Sequence, residues 1–232
     1  MDKVPLILLP GLDGTGNLFY PLLNSLPDNI RPVVVSYPKD KPYGYEELKE
    51  RVMDSLPTEN DFYILGESFS GPLALLAAGD APRGLKGIIL CASFVRNPIR
   101  FVPPWLSPFF VSPLFSLWPA AIRLRSYLSG GKYDDLAARA LEAVRSVRPE
   151  VVSARVKAIM RVNVEKELAD CPVPVLYLAS TRDHLVREHN LRGILRIRSD
   201  VKVRNIDTEH FILQLEPDRA AEEIAHFVER TS

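Results

Sequence analysis

Cysteine is scarce in this chain of 232 residues. Only Cys91 and Cys171 occur, and no C-x-x-C spacing suggests zinc binding or redox work. Both are expected as reduced, buried thiols that pack as small hydrophobes. Net charge is also missing. Basic and acidic residues balance at 29 each, so no overall field draws the protein to nucleic acid or to an anionic membrane surface. No apolar run approaches the roughly 20 residues that cross a bilayer. The run "LILL" (Leu6–Leu9) is too short for a secretory h-region, so a soluble, cytoplasmic protein is the expectation. No two histidines stand at ligand spacing on a helix, and neither metal nor cofactor is expected. Internal repeats and low-complexity tails are lacking too.

What is present is enough apolar material for a full core, 47% of residues, in a length that suits one large domain or two small ones. "VPLILL" (Val4–Leu9), "RPVVVSYP" (Arg31–Pro38), "DFYILG" (Asp61–Gly66) and "LKGIILCAS" (Leu85–Ser93) read as buried strands. "VPVLYLAS" (Val173–Ser180) and "DVKVRNI" (Asp200–Ile206) continue the series. These are continuous rather than alternating runs, and helical stretches separate them. That combination predicts an α/β fold with a mostly parallel sheet covered by helices on both faces. Asn17 is a candidate N-cap for a short helix in "NLFYPLLNSL". Around Phe94 the rhythm breaks into a proline- and tryptophan-rich stretch, followed by two helical segments, "YDDLAARALEAVRSV" and "PEVVSARVKAIMRVN". The core is therefore assigned to 1–93 and 167–232, and 94–166 to an inserted helical lid.

Candidate chemistry sits at the carboxyl ends of the predicted strands, where α/β sheets place their sites. Ser68 lies in "LGESFSG" between a strand and a helix, flanked by Gly66, Ser70 and Gly71; a sharp, crowded turn needs such small neighbours. A lone hydroxyl is a weak nucleophile and requires a base. Of four histidines, His226 falls within the last helix, His189 in a polar, solvated stretch and His184 in a loop. His210 follows the last strand and is the candidate base. Asp183, after the fifth strand, is the candidate acid that orients it; Asp207 and Glu209 are close competitors. The negative oxygen of a tetrahedral intermediate needs fixed N–H donors. The Phe69 amide opens a helix, and Leu12 lies in the glycine-rich "LLPGLDGTG", so these two backbone N–H groups are the candidates. That loop lacks the spacing of a phosphate cradle.

The order Ser68, Asp183, His210, together with "LLPGLDGTG", "LGESFSG", "VPVLYLASTRDHLV" and "TEHFILQLEPDRAAEEIAHFV", resembles the α/β-hydrolase superfamily over nearly the whole chain. The resemblance implies a Ser–His–Asp triad, a two-amide oxyanion hole and a variable lid at Phe94–Lys166. The sequence departs from the common pattern at Pro10, where many members carry histidine, at Ser70, where the second motif glycine stands, and at Glu209, where glycine often precedes the histidine. It looks like a compact member lacking the first strands. The implied function is a serine hydrolase of carboxylic esters or thioesters with apolar acyl groups. "PGLDGTG" also looks like the corresponding loop of acyltransferase-like relatives such as the phytyl ester synthase group, so acyl transfer through the same residues is an alternative. A non-catalytic ligand-binding member is another. "FVPPWLSPFFVSPLFSLWP" offers Trp105, Phe109 and Trp118 as an apolar wall for an acyl chain.

Overall fold

A computed structural model of the protein describes residues 3–98 and 134–231. Trp105, Phe109 and Trp118 lie outside the described residues. Among the described residues six parallel strands form one sheet: β1 (Val4–Leu9), β2 (Ile30–Val34), β3 (Phe62–Glu67), β4 (Leu85–Cys91), β5 (Val175–Ser180) and β6 (Lys202–Ile206), in the spatial order β2-β1-β3-β4-β5-β6. Among the described residues the helices are α1 (Tyr20–Ser25), α2 (Tyr45–Met53), α3 (Gly71–Gly79), α4 (Asp134–Arg145), α5 (Pro149–Arg161), α6 (Glu165–Ala169), α7 (Glu188–Ile197), α8 (Ile212–Leu215) and α9 (Pro217–Thr231).

The continuous apolar strand sequences are explained by burial on two faces. Ile7, Leu9, Ile64, Ile88, Leu90, Val175 and Tyr177 point toward α2, α3, α6 and α7. The intervening residues Leu6, Leu8, Tyr63, Leu65, Ile89, Cys91, Leu176 and Leu178 meet α1, α8 and α9. A one-residue slip in any of the central strands would exchange the two sets, so the register is fixed by packing. Both cysteines are free and buried. Burial, with the nearby Glu67 and Asp183 charges, pushes the Cys91 thiol well above its ordinary pKa. It is therefore held as an inert thiol.

Two local expectations change. The second strand is not buried on both faces; it is the sheet edge, with Arg31 and Val34 exposed. Its Pro32 is tolerated there because an edge strand has no outer partner for an N–H. The buried residues of that stretch, Val35 and Tyr37, come after the strand ends. Asn17 is not a cap: it is the first residue of a 3₁₀ turn (Asn17–Phe19) whose own cap is Gly16 in the left-handed region, and the cap of α1 is Phe19. Two short helices, α6 and α8, were not foreseen; five- and four-residue segments carry too little periodicity.

The topology makes one crevice. From β1 the chain moves outward to β2 and then returns across β1 to form β3. Connections leaving the carboxyl ends of β1 and β3 therefore diverge, which opens a crevice at that switch point. Leu9 pairs with Gly66, Cys91 with Leu178 and Ser180 with Ile206. The loops after β1, β3, β5 and β6 thus emerge at one level along one edge of the sheet.

Candidate active site

Ser68 has φ 49°, a left-handed value that an L-residue seldom adopts. It stands between β3 and a 3₁₀ turn (Ser68–Ser70) that runs into α3. The turn is tight enough that a Cβ on Gly66 would lie 2.4 Å from the Ser70 carbonyl oxygen and 2.9 Å from the Gly71 Cα. Glycine at position 66 is therefore a steric requirement. The strain at Ser68 is held by several contacts. Ser93 Oγ donates to the Ser68 carbonyl at 2.6 Å, and Tyr177 OH donates to the Ser93 carbonyl at 2.7 Å. Tyr45 OH donates to the Phe69 carbonyl at 2.8 Å and stacks its ring on Phe69, centroids 4.8 Å apart. With these carbonyls tied back, the Phe69 N–H lies in the first turn, where helical N–H groups have no intrahelical acceptor.

Ser70, which stands where the common motif has glycine, has a use of its own. Its hydroxyl is bonded to the Pro10 carbonyl and to Tyr37 OH, the latter at 2.6 Å. The serine turn is thereby fastened to the loop after β1. Tyr37 is fully buried, and burial raises its phenol pKa, so it stays a neutral hydrogen-bonding group.

The structure brings the three predicted side chains together. His210 Nε2 is 2.9 Å from Ser68 Oγ, and His210 Nδ1 is 2.7 Å from Asp183 Oδ2. The other carboxylate oxygen of Asp183 accepts the backbone N–H groups of Leu185 and Val186, both at 2.8 Å. With Asp183 ionised, Nδ1 carries the proton and donates to it, which leaves Nε2 to accept from the Ser68 hydroxyl. The His210 and Asp183 side chains are only 10% and 4% exposed, so their pairing is little screened. The competitor Asp207 is instead bound at the surface by Thr181 and Arg182, both at 2.8 Å. His184 and His226 are exposed, as their settings suggest. His189 is not solvated as expected: its Nε2 is buried, without a hydrogen-bond partner among the described residues.

Leu12 lies in a tight turn after β1 in which Gly14 N–H donates to the Gly11 carbonyl at 3.0 Å. In a trans peptide the N–H points opposite to the carbonyl. The Leu12 N–H therefore projects away from the body of the turn.

Three contributors escaped the sequence reading. Glu67, the variable residue before Ser68, is 8% exposed and accepts from Gln214 Nε2 at 2.8 Å. Its carboxyl pKa is raised to about 7, first by burial and next by the Asp13 charge; Gln214, His210 and the Gly11 N–H pull it back. Gln214 sits on α8, four residues beyond His210. Arg155, on α5, has no exposed surface at all. A glutamate inside an otherwise apolar strand run was the one available signal for Glu67. For Arg155 and Gln214 there was none, since charged and amide residues on amphipathic helices are ordinarily solvated. Among the described residues, no cluster of three or more His, Cys, Asp or Glu could hold a metal. Among them, too, no helix is long and apolar enough to cross a membrane.

The sequence matches the alpha/beta hydrolase family over residues 6–224. The structure is similar to that of the enol-lactonase from Burkholderia xenovorans LB400, at 17% identity and a TM-score of 0.80, over 99% of this chain and 92% of that one. It is similar to the esterase EaEST from Exiguobacterium antarcticum, at 13% identity and a TM-score of 0.82, over 98% and 92% of the two chains. A thermophilic esterase from Thermogutta terrifontis matches at 16% identity and a TM-score of 0.81, over 99% and 91%. At these identities the likeness is one of fold.

Proposed function

The chain belongs to the alpha/beta hydrolase family, and from that premise we propose that it is a serine hydrolase of carboxylic esters with apolar acyl groups. A single observation carries the reading. A hydroxyl in a strained turn, an imidazole and a nearly buried carboxylate are joined by hydrogen bonds of 2.9 and 2.7 Å. Fold alone would not license it, because one fold hosts many activities.

In the proposed mechanism Ser68 Oγ attacks the acyl carbon while His210 Nε2 takes its proton. Asp183 holds the imidazole in orientation and stabilises the cation that forms. The carbonyl electron pair moves onto oxygen, and the Leu12 and Phe69 N–H groups bind that oxyanion, each donor contributing roughly 3–4 kcal/mol. Collapse of the intermediate expels the alcohol, which receives the proton from His210. Water then enters by the same route, releases the acid and restores Ser68. Residues 94–166, with Trp105, Phe109 and Trp118, are proposed as the lid that supplies the apolar wall.

The test is a p-nitrophenyl ester series of increasing chain length, with a lactone panel beside it, on wild type and Ser68→Ala. The expected result is free acid as product, with a preference for medium or long acyl chains. In the variant kcat falls by about 10³-fold or more. A fall of less than about tenfold, in a variant that stays folded, would overturn a covalent serine mechanism. Transfer of most of the acyl group to an added alcohol would instead identify an acyltransferase.

A further inference from the structure

Arg155 is a large cation in an unusual place. It comes from α5, outside the αβ-repeat of the sheet, and yet none of its surface reaches solvent. Around it Val151, Val152, Val156 and Met160, with Val147, form an apolar cluster against Leu12. The guanidinium reaches out of that cluster and into the turn after β1. Its Nη1 donates to the Leu12 carbonyl at 2.9 Å and to the Asp13 carbonyl at 2.8 Å. Its Nη2 donates to the Pro38 carbonyl at 2.9 Å, and its carbon sits 5.5 Å from the centre of the Tyr37 ring. Its Nε is buried without a partner among the described residues.

The surroundings are shaped to it. Gly14 has φ +68°, and a Cβ there would meet Arg155 Nη1 at 2.5 Å and the Tyr37 ring at 2.8 Å. Among the described residues no carboxylate is hydrogen-bonded to the guanidinium; the Asp13 carboxylate is taken by the Thr15 N–H at 2.9 Å and by the Thr15 hydroxyl. The cation is thus compensated chiefly by backbone carbonyl dipoles and the Tyr37 face. A hydrophobic side chain of this size would fill the apolar cluster without a charge to bury. An arginine that spends its donors on two consecutive carbonyls of one turn constrains that turn instead.

We propose that Arg155 is a positioning residue for the oxyanion site, fixing the two peptide planes that directly follow the one from which the Leu12 N–H projects. The proposal rests on the reading of Leu12 as an oxyanion donor. The turn has three peptide planes to fix. The Gly11–Leu12 plane is held by Gly14 N–H on the Gly11 carbonyl. The next two, whose carbonyls belong to Leu12 and Asp13, are held by the one guanidinium. Beyond them Tyr37 N–H takes the Gly14 carbonyl at 2.7 Å. Release of the middle pair lets the turn relax, and a displaced donor loses its effect steeply, because the oxyanion must be met at hydrogen-bond distance. Arg155 touches neither substrate nor reacting atoms; it acts through Leu12.

The experiment compares wild type, Arg155→Met and Arg155→Lys with p-nitrophenyl butyrate, and measures inhibition by an alkyl trifluoromethyl ketone. That ketone forms a hemiketal on a serine nucleophile and so places an oxyanion in the site. Rates are normalised to sites titrated by a fluorophosphonate. For Arg155→Met the expected result is a kcat per titrated site about 10- to 100-fold lower, a KM within about threefold, and a ketone Ki weakened in parallel with kcat. Arg155→Lys, with a point charge that cannot bridge both carbonyls as a fork does, falls between. A merely structural role predicts a lower melting temperature and fewer titratable sites, with kcat and Ki of the remaining sites unchanged. That pattern would overturn the proposal. If Arg155→Met fails to fold, wild-type kcat and Ki in folded Arg155→Lys would overturn it equally. Wild type that is inert to ester, ketone and fluorophosphonate would remove the oxyanion reading itself, whereas active wild type with unchanged variants removes only the role of Arg155.

Discussion

Replacing Glu67 by glutamine should make the protein more stable, and only at neutral to alkaline pH. The carboxyl is 8% exposed and its pKa is about 7, against an ordinary value of 4.5. Folding thus raises its affinity for a proton, so the folded state holds more protons than the unfolded chain between these two values. Stability from this group is fully present below about pH 4.5 and is lost as pH rises through about 7. The gap of 2.5 units, at about 1.4 kcal/mol each, amounts to roughly 3–4 kcal/mol at the most. Glutamine does not ionise and escapes this loss. Its amide oxygen can still accept from Gln214 Nε2. The assay is urea or thermal unfolding of wild type and Glu67→Gln from pH 5 to 8.5. At pH 5 the two should differ little. At pH 8 the variant should lead by about 3 kcal/mol, or roughly 6–12 °C in Tm for a chain of this size. The other ionisable groups near this carboxyl, Asp13 and His210, are common to both proteins, so the difference isolates Glu67. A gap that is the same at pH 5 and pH 8 would refute the reasoning.

Restoring the common motif glycine by Ser70→Gly should destabilise the protein by about 1–3 kcal/mol, read from denaturant midpoints, because it leaves the buried Tyr37 hydroxyl without its Ser70 partner. Gly66→Ala should be far worse, since the added Cβ would meet backbone atoms at 2.4–2.9 Å; the expected result is loss of soluble folded protein on size exclusion or loss of fluorophosphonate labelling. Asp183→Asn should keep the fold by circular dichroism and lower ester kcat by about 10⁴-fold, because an amide at this position favours the wrong imidazole tautomer.

The sheet was legible because double burial writes long apolar runs, and Leu6–Leu9 or Ile88–Leu90 could be read at sight. β2 was misjudged for a related reason: "RPVVVSYP" has the same composition, but its last residues bury after the strand ends. Ser68, Asp183 and His210 could be picked out because each stands in a loop directly after a strand, a position that sequence order reveals. The supporting groups could not. Tyr45 and Ser93 bind backbone carbonyls of the serine turn, Tyr177 in turn binds the Ser93 carbonyl, and such side chain-to-backbone bonds leave no pattern in sequence. Arg155 meets Leu12 across more than a hundred residues of chain, from a helix whose polar positions look solvated. His189 shows the converse, a polar setting in sequence that hides a buried ring nitrogen.

The pairing of β4 with β5 has a consequence for how the protein is made. Four strands, β2-β1-β3-β4, come from the first 91 residues, while their next neighbour begins at Val175. During synthesis at about 5–20 residues per second, the outer edge of β4 waits on the order of 4–17 s for its partner to leave the ribosome. Throughout that interval Ile88, Ile89 and Leu90 lie on an open apolar edge. The nascent chain is thus most vulnerable to aggregation before its second half is translated, and a chaperone that shields this edge should raise its yield.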